Sequence, residues 1–212
     1  MKTLLILSFL VYFWTNASAE NSTFDTAVMQ TIDRLHQASS IEEVLSCVSQ
    51  LERMAMAEPK RWEAHYYLAY ARIMLSFRES DGEKTDQILD RAELDIEKAQ
   101  EVGADPSELN ALQAYLYQGR IQVNSFRGMK YSGMAAESLE KAIRLNPSNP
   151  RAHLLMGMNV FHTPSMFGGG AKKALPHFEK AMACFEGAPV ASTLHPHWGR
   201  ELAQDMVEEC QK

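Results

Sequence analysis

EKAQEVGADP (97–106), EKAIRLNPSNP (140–150) and EKAMACFEGAP (179–189) are three versions of one helix end. Each closes an amphipathic run, and they lie 43 and 39 residues apart. Pro59, Pro106, Pro150 and Pro196 keep similar offsets of 47, 44 and 46 residues, and each is placed to open a helix. Self-similarity at this period means stacked supersecondary units, each unable to bury its apolar face without its neighbours.

Strand signals are nearly absent between these marks, and apolar residues recur at helical spacing. Phe24, Val28, Ile32 and Leu35 share one face. Ser40 and Glu43 form a capping box ahead of Val44, Val48, Leu51 and Met54. Further stripes run through Ile88, Ala92, Ile96 and Ala99, and through Ala135, Leu139, Ala142 and Ile143. His195-Pro196 reads as the start of a last helix through Trp198, Leu202 and Met206. The expected fold is all-α, with antiparallel helix hairpins stacked in a row. Its parts are N-terminal helices at 20–58, repeats at 59–104, 105–148 and 149–188, and a capping helix at 195–212.

Residues 1–19 read as a signal peptide. Lys2 supplies the positive end, Leu4 to Trp14 an apolar run too short for a membrane span, and Ala17-Ser18-Ala19 a cleavage site before Glu20. The expected location is therefore periplasmic or secreted, with membrane contact only during export. The composition of the whole chain is that of a globular protein, 46% hydrophobic and 23% charged. A net charge of -6 argues against nucleic acid as the main partner, because phosphate binding needs a basic face. Cys47, Cys184 and Cys210 match no zinc spacing and read as small buried side chains, a Cys184–Cys210 bridge being the alternative.

The helix pairs resemble a family. Ala135, Leu139, Ala142 and Pro147 follow the small–large–small–proline spacing of the second helix of a tetratricopeptide repeat, and Ala174, Phe178 and Ala181, like Ala92, Ile96 and Ala99, follow it without the proline. Leu68-Ala69 and Met156-Gly157 look like the large–small pair of its first helix, while His65 and His153 stand where the family carries tryptophan. The repeats exceed the usual 34 residues, and the extra length falls at 77–85, 124–133 and 163–170. The resemblance is to a divergent, long-turn group of exported bacterial tetratricopeptide-repeat proteins. It implies a short right-handed superhelix with a concave groove lined by Glu63, Tyr66, Tyr70, Tyr115, Gln118, Arg151, Met158 and Phe161, suited to a peptide or a small organic ligand.

FGGGAKK (167–173) poses a separate question. It lacks the strand and the lysine–hydroxyl pair of a phosphate loop. It reads as a helix corner with Phe167 folded inward. Gly168, Gly169 and Gly170 with Lys172 would be the candidate anion contact, if their N–H groups were free. Arg120, Arg127 and Lys130 either dock an acidic partner or neutralise the acidic stretch 79–108. His195 and His197 read as surface or cap residues, and no metal site is expected. No catalytic constellation appears, and no cofactor is expected. The chain reads as an exported, non-catalytic interaction or scaffold module with a protein or peptide partner in the cell envelope. The alternative is an accessory to solute transport that binds a small ligand or a substrate-binding protein.

Overall fold

The computed structural model describes residues 23–187 and 194–212. The signal peptide of 1–19 and its cleavage site lie outside them. The described residues form nine α-helices and no strand. They are α1 (23–37), α2 (Ile41–Ala57), α3 (Trp62–Ser76), α4 (Gly82–Glu101), α5 (Pro106–Val123), α6 (Gly128–Leu145), α7 (Pro150–His162), α8 (Ala171–Gly187) and α9 (Arg200–Cys210). No described helix is long and apolar enough to cross a membrane.

The local signals act where the sequence puts them. Ser40 caps α2 by accepting from the Glu43 amide, and the Glu43 side chain returns the bond to the Ser40 amide. Asp81, Asp105 and Asn149 cap α4, α5 and α7 through side-chain oxygens. Each cap satisfies backbone donors that a helix leaves unpaired at its start. Pro106 and Pro150 open their helices. Pro59 does not: α3 begins at Trp62, and the Pro59 carbonyl instead accepts from His65 Nε2 at 3.0 Å. His153 makes the matching bond to the Pro147 carbonyl at 2.9 Å. Where the family resemblance expects tryptophan, a histidine thus latches the preceding turn to its helix.

Consecutive helices pair as hairpins, α3 on α4, α5 on α6 and α7 on α8. Neighbouring hairpins meet where α5 packs on both α3 and α4 and where α7 packs on both α5 and α6, and α9 closes on α8. The stripes read from the sequence supply much of the core: Val28, Ile32, Leu35, Ala92, Leu139 and Phe178 are fully buried, while in α4 it is Leu89 that faces fully inward and Ile88 is only half-buried. Polar ties run across the stack. Arg72 of α3 bonds Glu52 of α2 and Asp95 of α4. Ser107 Oγ donates to the Ala142 carbonyl at 2.8 Å and accepts from Asn149 Nδ2 at 3.0 Å. All three cysteines are free thiols, so Cys184 and Cys210 are not bridged.

Small residues set the spacing. Ala69, Ala92, Ala135 and Ala174 have no exposed surface. Gly157 is the tightest case in the helices, because a Cβ there would lie 2.5 Å from Phe178 Cε1. Gly157→Leu should therefore overpack the α7–α8 contact by roughly 1–3 kcal/mol or more. Thermal unfolding followed by circular dichroism should show the midpoint fall by about 2–4 °C for each kcal/mol lost. An unchanged midpoint would refute this packing.

Candidate functional site

The groove implied by the family resemblance is occupied by the chain itself. Residues 194–199 are not the start of α9, as His195-Pro196 suggested. They form a non-helical strap of turns that lies against the first helices and ends at Gly199, whose φ of 101° admits the turn into α9. The strap carries Trp198 into the middle of the tyrosines. Its indole stacks on Tyr70 at 4.8 Å and 23° and on Tyr115 at 5.7 Å and 21°. Its Nε1 donates to the Tyr66 hydroxyl at 3.1 Å. The Tyr67 hydroxyl reaches the His195 carbonyl and His197 Nδ1, both at 3.5 Å.

Tyr66, Tyr70 and Arg151 are consequently buried, and Glu63, Tyr115, Gln118, Met158 and Phe161 are only partly exposed. Arg151 clamps Glu108 through two bonds, one of 2.6 Å from Nε. Burial alone would lower the arginine's pKa; the bonds to Glu108 outweigh it and hold the group above its ordinary value. Glu63 pairs with Arg61 at 3.4 Å, and Gln118 Nε2 donates to the Leu155 carbonyl at 2.8 Å. Phe161 packs its edge on Phe178. Burial raises the pKa of Tyr66, Tyr67, Tyr70 and Tyr115, which keeps all four neutral. The eight groove positions thus serve packing in this state and do not present an open wall to a partner.

The glycine corner is not an anion cradle. Gly168 N donates to the Ser165 carbonyl at 3.0 Å, Gly169 N to Pro164 at 3.3 Å and Gly170 N to Val160 at 2.9 Å. With all three donors spent inside the chain, Gly168, Gly169, Gly170 and Lys172 make no anion site. The glycines are there for shape. Gly168 and Gly170 have φ of 88° and 100°, and a Cβ on Gly169 would lie 2.0 Å from the Thr163 carbonyl oxygen. The basic stretch is likewise internal. Arg120 bonds Asp86 and Asp90 at 3.0 and 2.5 Å and reaches Glu93 at 3.3 Å, and Arg127 bonds Asp86 at 2.8 Å. The Arg127 bond, with Arg120, holds the Asp86 carboxyl below its usual pKa. Lys130 lies outside this network, with Nζ 5.2 Å from the Tyr131 ring centre.

Exposed apolar surface gathers elsewhere, on the two long turns inside the hairpins. Phe126 is 93% exposed and Phe167 is 66% exposed, so Phe167 points outward rather than inward as the sequence suggested. Met129 and Met166 beside them are also largely exposed. A single 3-10 turn precedes α6 and another precedes α8, at Ser125–Arg127 and Ser165–Phe167, and lifts these side chains off the stack. The two turns share one edge, because Asn159 Nδ2 near the end of α7 donates to the Ser132 carbonyl in the first turns of α6 at 3.1 Å. Lys130, His162, Lys172 and Lys173 are exposed around them. Such a rim, apolar at the tips and cationic at the flanks, fits a ligand with an apolar body and acidic substituents.

No protein-family model matches the chain, and no curated protein does. Among solved structures it is similar to the HusA haemophore from Porphyromonas gingivalis, with 31% sequence identity and a TM-score of 0.78 over 90% of this chain and 92% of that one. The chain belongs to the same family as HusA.

In this HusA relative, sequence reasoning missed both the strap and the rim. The signal for the rim was available. Of the three stretches longer than the repeat needs, 124–133 and 163–170 each contain a phenylalanine and a methionine next to turn residues. The strap had no such local signature, since Trp198 suits an amphipathic helix equally well.

Two outcomes follow for the strap. Trp198→Ala should cost about 3–5 kcal/mol, the range for removing a large buried aromatic, measurable by urea unfolding. A loss below ~1 kcal/mol would mean that the strap does not hold the concave face. His36 Nε2 lies 3.1 Å from the Tyr70 hydroxyl, and desolvation followed by the nearby charge of His197 lowers its pKa, against Asp33 and Glu201. The folded chain therefore resists a proton that the unfolded chain accepts. His36 should leave stability unchanged above about pH 6.5 and reduce it as pH falls below that value. His36→Gln should flatten this part of the slope in unfolding curves at pH 7.5 and 5.5.

Proposed function

We propose that the protein is an exported, non-catalytic carrier that captures haem or a similar porphyrin on the rim formed by the turns around Phe126 and Phe167. The observation that carries this reading is the pair of neighbouring turns with four large apolar side chains held out in water. Soluble proteins keep contiguous apolar surface of this kind for a partner. A porphyrin offers a flat apolar face to the phenylalanines and methionines, and its carboxylates suit Lys130, Lys172 and Lys173. HusA is a haemophore, and the shared family supports a ligand of that class. On this reading an N-terminal signal peptide exports the chain, and the stack is a divergent, long-turn relative of the tetratricopeptide repeat.

The scaffold reading is weaker for a physical reason. A peptide would need the concave wall of α3, α5 and α7, and the strap with Trp198 already fills it. The small-ligand reading needs no such groove.

Titration of the purified chain with haem should shift and sharpen the Soret band with saturation. The double variant Phe126→Ser, Phe167→Ser should bind at least about tenfold more weakly, since each phenylalanine covered by ligand contributes roughly 1.5–3 kcal/mol. Its melting temperature should stay within a degree or two of the parent, because neither side chain packs in the core. A chain that leaves the Soret band unchanged, or a double variant with parental affinity, would overturn the assignment.

A further inference from the structure

Methionine serves mostly as core filler, and this chain follows the rule with few exceptions. Met156 is 9% exposed, and Met158 and Met182 are half-buried. Three described methionines stand in water instead: Met129 and Met166 are each 84% exposed, and Met56 is 76% exposed. Two of these three belong to the rim. Met166 lies inside the Ser165–Phe167 turn, and Met129 is the second residue of α6, just past the Ser125–Arg127 turn. Each side of the rim therefore carries one phenylalanine and one methionine.

An apolar landing surface does not by itself require sulfur, since leucine supplies as much apolar area. What leucine lacks is the thioether, which takes up oxygen reversibly. The cysteines do not compete for an oxidant. Cys47 and Cys184 are buried, Cys210 is half-buried, and burial pushes the thiols of Cys47 and Cys210 up, away from the reactive thiolate. With a peroxide, the lone pair on Sδ attacks one peroxide oxygen and the O–O bond breaks. The departing hydroxide takes up the proton from the transferred oxygen. Sulfur loses two electrons, the peroxide gains two, and the products are a sulfoxide and water. The sulfoxide oxygen is a strong hydrogen-bond acceptor. Under a flat apolar face it would lose its water and find no donor, a penalty that the thioether does not carry.

We propose that Met129 and Met166 are a reversible oxidation switch on the capture surface: a peroxide converts them to sulfoxides and weakens porphyrin binding, and reduction restores it. This rests on the rim being the porphyrin site. Met56 provides an internal comparison. It is nearly as exposed, but it sits on α2, which packs on α3 and carries no rim residue.

The test uses the full chain and dilute hydrogen peroxide, with haem titrations before and after treatment. Catalase removes residual peroxide before haem is added. Peptide mass spectrometry should find sulfoxide at Met129, Met166 and Met56 before any other methionine, with the helical circular dichroism unchanged. Haem affinity should fall at least about tenfold and return after treatment with methionine sulfoxide reductases of both epimer specificities. Met56→Leu should leave that loss in full. The double variant Met129→Leu, Met166→Leu, whatever its starting affinity, should bind haem equally before and after peroxide. No Soret response from the untreated chain overturns the haem reading and this proposal with it. A haem affinity that survives sulfoxide formation at both positions, or a peroxide-induced loss that persists in the double leucine variant, overturns the switch alone.

Discussion

The close approach of paired helices is the constraint on which the rest of the structure depends. Ala69, Ala92, Ala135, Ala174 and Gly157 have too little side chain to hold their helices apart, and the larger Leu89, Leu139 and Phe178 fill the space between. At Gly157 the fit is complete, with the Phe178 ring where any Cβ would be. Close packing of this kind is sensitive to a single methylene. It fixes the hairpins, and through them the places where the connecting turns leave the stack.

With the hairpins fixed, the first helices bring Tyr66, Tyr67, Tyr70 and Tyr115 together on one side. A face so rich in aromatic surface would be unstable in water, and the chain covers it with its own Trp198. Three stacked or hydrogen-bonded contacts hold the indole there. Beneath it the Glu108–Arg151 pair spans α5 and α7. Such a pair adds little net stability against a hydrophobic substitute, but breaking one half leaves a buried charge, which makes its register demanding. The concave side therefore acts as core. The surface left for recognition lies at the turn tips.

Much of this was legible before any coordinates. Helix number, the Ser40–Glu43 box, the buried stripes and the repeat period all rest on local chemistry, which a sequence displays directly. Gly157 was readable as a crossing point because a glycine inside a strong helical pattern needs a packing reason. The failures share a cause. Trp198, Phe167 and Pro59 are residues whose roles are set by distant partners. Trp198 has an amphipathic surrounding that suits a helix, yet stacking on tyrosines far back in the chain holds it in a non-helical strap. Phe167 was placed inside because apolar residues usually go there, and an exposed aromatic breaks that rule only where the surface has a use. Pro59 looks like Pro106 and Pro150, but here the helix starts three residues later and His65 uses the proline's carbonyl.

The corner formed by Gly168, Gly169 and Gly170 has a consequence beyond turning the chain. Its amides are all committed internally, and Gly168 and Gly170 hold positive φ that other residues resist, so the backbone under Met166 and Phe167 is set before anything lands on it. Capture at that tip then freezes only side-chain rotamers, a penalty of about 0.5–1.5 kcal/mol for each flexible group, instead of the far larger entropy of folding a loose loop. Preorganisation of this sort lets a few exposed side chains act as an efficient landing surface.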